Sequence, residues 1–308
     1  MSISKEFEKA DKALNPSLQS PLQKAIRLME DALANPNKIE SKMIFREGHG
    51  HFVEFCNPHD ADHSAIWSAL NGKAAETFGA YYALKRAEAA YGPTPLDSQL
   101  NDAVKIAHFA LSCKIMEDAL ENPNKIKGLR LFIKGHDAFL RYCDPRDAGD
   151  CAIWSALNGK AAEAFGAVYA LGRAKEAYDR APSDTPLEDA AQTAQFALSC
   201  KVMEEELANP NKAEGQQFFI EGHDAFLTSY DPRGAGACAI WRRNILSAAT
   251  NFSNEFAASL ALEAVSETSY GTALRIESAK LLLLLECKAD ALVRNNPSSR
   301  NSDRTPHP

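Results

Sequence analysis

Four of the eight histidines, His49, His51, His59 and His63, lie within fifteen residues of one another, with Asp60 and Asp62 between them. Read as side chains on a hairpin (His49, His51) and on one helical face (His59, His63), they form two imidazole pairs able to converge on one ion, and zinc is the ion that suits such a set. The competing reading is an exposed loop in drift. Where His51, His59 and His63 stand, the next copy of the same segment has Ala138, Arg146 and Asp150, and the third has Ala225, Arg233 and Ala237. No cofactor is expected beyond this one metal, and less than one ion per chain in chelator-free protein would end the metal reading.

Other polar residues point to binding. Gly135-His136-Asp137 and Gly222-His223-Asp224 recur, with Gly48-His49-Gly50 as the first version. As loop tips, His136, Asp137, His223 and Asp224 would form a row of similar polar groups facing an extended partner; as local turn chemistry they would only hydrogen-bond their own backbone. Arg242 and Arg243 replace the Ser-Ala pair of the earlier copies, so the third copy either packs against a terminal cap or owns a binding site. Asp144-Pro145-Arg146 and Asp231-Pro232-Arg233 read as turns held by an Asp to Arg pair, with anion binding as the sharper alternative.

Catalytic signatures are missing. The chain has no Cys-x-x-Cys, no Gly-x-Ser-x-Gly elbow, no phosphate-cradling loop and no dinucleotide fingerprint. Its seven cysteines fall into three equivalent sets, 113/200/287, 56/143 and 151/238, which suits small buried positions better than disulfides. A formal charge of −7 argues against coating nucleic acid or an anionic membrane, and the longest leucine run, Leu281 to Leu285, is too short to span a bilayer.

The elements that must position these residues repeat. Asn-Pro occurs at 35–36, 122–123, 209–210 and 296–297, and the three tryptophans are Trp67, Trp154 and Trp241, so both series run at a spacing of 87. The stretch AIWSALNGKAAE at 65–76 returns unchanged at 152–163. Such a period is the sequence signature of stacked units.

Each unit opens with capping chemistry: Ser20-Pro21-Leu22-Gln23, Thr94-Pro95-Leu96-Asp97 and Thr185-Pro186-Leu187-Glu188. Next come segments mixing β-branched and aromatic residues around Gly-His, namely Met43 to Cys56, Leu129 to Cys143 and Gln217 to Tyr230; glycine there predicts a type II′ β-hairpin. A long second helix follows, from about Asp150 to Tyr178 in the second copy.

The expected fold is therefore α+β and mostly helical: three tandem 87-residue helix, β-hairpin, helix repeats with a C-terminal capping helix, stacked as a solenoid, or closed as a pseudo-threefold ring. The expected divisions are an extension at 1–19, repeats at 20–93, 94–184 and 185–271, a capping helix at 272–293 and a disordered tail at 294–308. The expected function is a non-enzymatic, cytoplasmic repeat protein presenting an extended surface to a protein partner, with self-association favoured by exposed strand edges. A metal protein built on the first-copy histidines, or a small-ligand carrier with a pocket near Trp154 and Trp241, are the alternatives.

Overall fold

The computed structural model describes residues 20–230, 235–269 and 271–295. The extension 1–19, the tail beyond 295, Asn296-Pro297 and Asp231-Pro232-Arg233 lie outside the described residues. Among the described residues there are thirteen α-helices and no strand: α1 Pro21–Ala34, α2 Lys38–Phe55, α3 Ala61–Phe78, α4 Ala80–Tyr91, α5 Gln99–Leu120, α6 Lys125–Tyr142, α7 Ala148–Phe165, α8 Ala167–Arg180, α9 Pro186–Leu207, α10 Lys212–Ser229, α11 Ala235–Asn251, α12 Asn254–Glu267 and α13 Ala273–Asn295.

This corrects the α+β expectation. The segments Met43 to Cys56, Leu129 to Cys143 and Gln217 to Tyr230 are not hairpins but the bodies and C-caps of α2, α6 and α10. With the hairpins goes the helix, hairpin, helix unit. Helix starts instead recur at 38/125/212, 61/148/235, 80/167/254 and 99/186/273, so each copy contributes four helices.

The reason lies in the glycines. Gly48, Gly135 and Gly222 occupy helix interiors at points where the helix crosses its predecessor. A Cβ on Gly135 would lie 2.8 Å from Met116 Cγ and 3.0 Å from the Ser112 carbonyl oxygen, and one on Gly48 would lie 3.0 Å from both Met29 Cγ and the Ala25 carbonyl. Glycine is there for close approach of two backbones, not for a turn. In α6 the buried residues Gly128, Phe132, Gly135, His136, Ala138 and Phe139 carry a helical period that outweighs the β-branched and aromatic content.

Caps set the boundaries. In each Asn-Pro-Asn the first asparagine turns the chain and the second starts the next helix: Asn122 Oδ1 accepts from the Asn124 amide at 3.0 Å, and Asn124 Oδ1 accepts from the Lys127 amide at 3.0 Å. Asn35 with Asn37 and Asn209 with Asn211 repeat the device. Ser20 and Gln23 form the expected reciprocal box, and Thr185 caps α9. In the second copy the cap is Ser98, whereas Thr94 donates to the Ala90 carbonyl and closes α4. Ser98, Thr185 and Thr272, which accepts from the Arg275 amide, thereby keep the 87-residue register.

The single long helix expected over 150–178 is two helices. Gly166, at φ 102, separates α7 from α8, and Gly79, at φ 97, separates α3 from α4; no other residue type adopts that conformation cheaply. The third copy makes the same break without glycine, by capping α12 with Ser253. Gly159 lies inside α7 with open space around it.

The helices belong to two compact units, one ending at Cys143 and one beginning at Asp144. The core of unit 1 contains Met29, Phe45, Phe52, Trp67, Leu100 and Val104. That of unit 2 contains Met203, Phe219, Phe226, Trp241, Leu260 and Leu274. In unit 1 the Leu100 amide donates to the Pro58 carbonyl at 3.0 Å, and in unit 2 Leu187 does the same to Pro145 at 3.2 Å, so each Asx-Pro turn anchors the start of the next copy's first helix. No helix among the described residues is long and apolar enough to cross a membrane.

Candidate functional site

In unit 1 the four first-copy histidines go separate ways. His49 is buried on α2, where its Nε2 accepts from the Trp67 indole N–H at 3.1 Å. Burial first, and the Arg86 guanidinium second, hold its pKa down at about 3, so it is a neutral acceptor. His51 is exposed with its Nδ1 3.5 Å from Glu54, and His63 Nδ1 accepts from the Asn57 amide at 3.0 Å. His59 is exposed in the turn before α3. No group of three metal-ligating atoms within 4.8 Å of one another forms from these residues.

In unit 2 the equivalent of His49 stands in different company. His223, on α10, is fully buried, and Asp224 beside it and Glu263 on α12 bring carboxylate oxygens to 3.7 and 3.6 Å from its Nδ1. The ligating atoms of the three side chains all lie within 4.8 Å of one another. Neither ring nitrogen of His223 has a hydrogen-bond partner, and neither has the indole N–H of Trp241, whose ring centre is 6.3 Å from that of His223. An imidazole with two carboxylates can hold a proton or a metal cation.

Local sequence explains how the site is positioned. Gly222 seats α10 against α9, with a would-be Cβ 3.2 Å from the Ser199 carbonyl, and this turns the adjacent His223 toward α11 and α12. Glu263 carries no signal as a lone residue. Its signal was the repeat: copies two and three have Glu176 and Glu263 together with Asp137 and Asp224, whereas the first has Ala89 with Gly50.

His136 and Asp137 lie on α6, with His136 buried against Phe132, rather than on a loop tip. Arg242 pairs with Glu277 of α13 at 2.6 Å, and Arg243 pairs with Glu204 of α9. Both arginines remain more than half exposed and line an open groove along α11 with Leu246, Ser247 and Thr250. Asp144 does not hold Arg146 by its guanidinium; its carboxylate accepts from the Arg146 backbone amide at 2.9 Å. A second shallow groove, between α7 and α9, is lined by small residues including Ser155, Gly159 and Ala197. Neither groove is lined by Trp154 or Trp241, which are fully buried.

The seven cysteines are free thiols, and burial pushes Cys56, Cys151, Cys200 and Cys238 above the usual thiol range, the reverse of an activated nucleophile. The chain matches no protein-family model, no curated protein and no solved structure.

Proposed function

We propose that the chain is a non-enzymatic helical repeat protein that binds a partner protein through unit 2. The observation that carries this reading is the apolar face of α13. Ile276, Leu283 and Leu284 are 49%, 64% and 41% exposed, and Leu262 of α12 is 58% exposed. Leu283 and Cys287 hold the positions that Phe109 and Cys113, then Phe196 and Cys200, hold in the earlier copies. Phe109 packs on Phe139 of the following helix, and Phe196 on Phe226, each pair with ring centres 5.3 Å apart. The same face on α13 suits an amphipathic helix of that kind, received by apolar anchors at helical spacing. Free thiols throughout favour a reducing compartment such as the cytoplasm.

The test is the double variant Ile276→Glu, Leu283→Glu, whose exposed positions leave folding intact. Crosslinking mass spectrometry on cell extract should show a partner helix joined to α13 in the parent chain and lost in the variant. Native mass spectrometry distinguishes a second copy from a different protein. Crosslinks indifferent to the substitution would remove this face from the reading.

A further inference from the structure

We infer that His223, Asp224 and Glu263 form a binding site for a divalent transition-metal ion, of which zinc is the best match. This inference is independent of the partner-binding reading.

Three observations converge on it. The first is geometry. The Nδ1 of His223 lies 3.7 Å from Asp224 Oδ1 and 3.6 Å from Glu263 Oε2. Zinc bonds to nitrogen and oxygen of about 2.0–2.2 Å set tetrahedral ligand atoms roughly 3.4 Å apart, so each carboxylate oxygen needs to approach Nδ1 by only a few tenths of an ångström. The observed separations are too long for direct hydrogen bonds and suited to a shared ion.

The second is the state of the histidine. His223 is fully buried, and neither of its nitrogens makes a hydrogen bond, although buried polar atoms normally find partners. Its Nδ1 faces the two carboxylates, whose side chains are 54% and 42% exposed. The ion would enter from solvent on the carboxylate side, keep water in its remaining position, and take the buried nitrogen as its anchoring ligand. One imidazole with carboxylates suits zinc, cobalt or nickel better than calcium or magnesium, which prefer oxygen throughout.

The third is the contrast within the chain. At the equivalent place in unit 1, His49 is satisfied by Trp67 and faces Arg86, a cation that would repel a metal. The third copy has Leu260 at the position of Arg86, Asp224 at that of Gly50 and Glu263 at that of Ala89. A cation has gone and two anions have come, all around one imidazole.

The experiment uses the full chain, stripped with chelator and titrated with zinc chloride against a chromogenic zinc indicator. Asp224→Asn and Glu263→Gln keep side-chain size at partly exposed positions, so folding is preserved, and circular dichroism checks it. The expected result is that the parent chain binds one equivalent of zinc that each variant holds at least tenfold more weakly. Cobalt(II) in place of zinc should give the visible absorption of a tetrahedral ion, lost in the same variants. A triple variant, His51→Gln, His59→Gln, His63→Gln, should keep that equivalent. Zinc binding unchanged by Asp224→Asn and Glu263→Gln, lost in the triple variant instead, or absent from the parent chain would overturn the site.

Discussion

His49 of unit 1 and His223 of unit 2 stand at the same place in the repeat, each after a glycine that seats its helix, and each buried near a tryptophan. One accepts an indole hydrogen bond and faces a guanidinium; the other makes no hydrogen bond and faces two carboxylates. Duplication preserves packing because a change in the core costs stability at once, while a change among the partly exposed neighbours of a buried imidazole costs little and alters its chemistry. The divergence between the copies is therefore where function is to be sought, and the shared residues are where the fold is held.

The largest expected effect concerns pH. His49 has a folded pKa near 3 against an ordinary 6.5, so the unfolded chain takes up the proton first. The stability this histidine contributes is present above pH 6.5 and falls as pH drops toward its folded value, by about 1.4 kcal/mol for each unit. His108, held down at about 4 chiefly by burial, acts in the same direction. Hydrogen exchange at pH 7 and pH 4.5 should show unit 1 loosening on acidification, with a shallower dependence in His49→Gln. An identical dependence in that variant would show that His49 is not the group responsible.

Next in size are the glycine contacts. Gly48→Ala should cost about 1–3 kcal/mol in chemical unfolding, because the new methyl meets Leu28 Cβ at 2.9 Å and a backbone oxygen at 3.0 Å. Gly222→Ala should cost less, since its nearest contacts lie at 3.1–3.2 Å rather than 2.9–3.0 Å. The reverse order would mean that the two helix crossings are not held by the same contact.

Trp67→Phe leaves His49 Nε2 without its donor and should cost more than Trp241→Phe, by about 1 kcal/mol or more, because the indole N–H of Trp241 has no partner to lose. Equal losses would show that the indole bond in unit 1 is energetically idle. The smallest effect is expected from Arg242→Ala. Its guanidinium is half exposed in the ion pair with Glu277, and the change in unfolding free energy should stay within about 1 kcal/mol.

Much of this is legible in the sequence, and the elements that are not share a common cause. The Asn-Pro-Asn boundaries, the Ser20 cap and the repeat itself depend on a few adjacent residues, where chemistry is local. Gly48, Gly135 and Gly222 are ambiguous in sequence because glycine serves equally in a turn and at a helix crossing, and only the residue facing it decides which. Thr94 resembled Thr185 as a cap, but its hydroxyl is engaged by the Ala90 carbonyl of the helix before it. The metal expectation attached to His51, His59 and His63 because they are close in sequence, whereas His223 and Glu263 are forty residues apart and meet only when α10 packs on α12.

By itself the sequence determined the period and most of the caps, since these follow from neighbouring residues and from repetition at a constant spacing. The tertiary structure alone decided that the Gly-His segments are helices, that His49 is satisfied while His223 is not, and that two distant carboxylates face one buried nitrogen. Those outcomes depend on which helix lies against which, and the free energy of a buried polar atom is set by its neighbours in space.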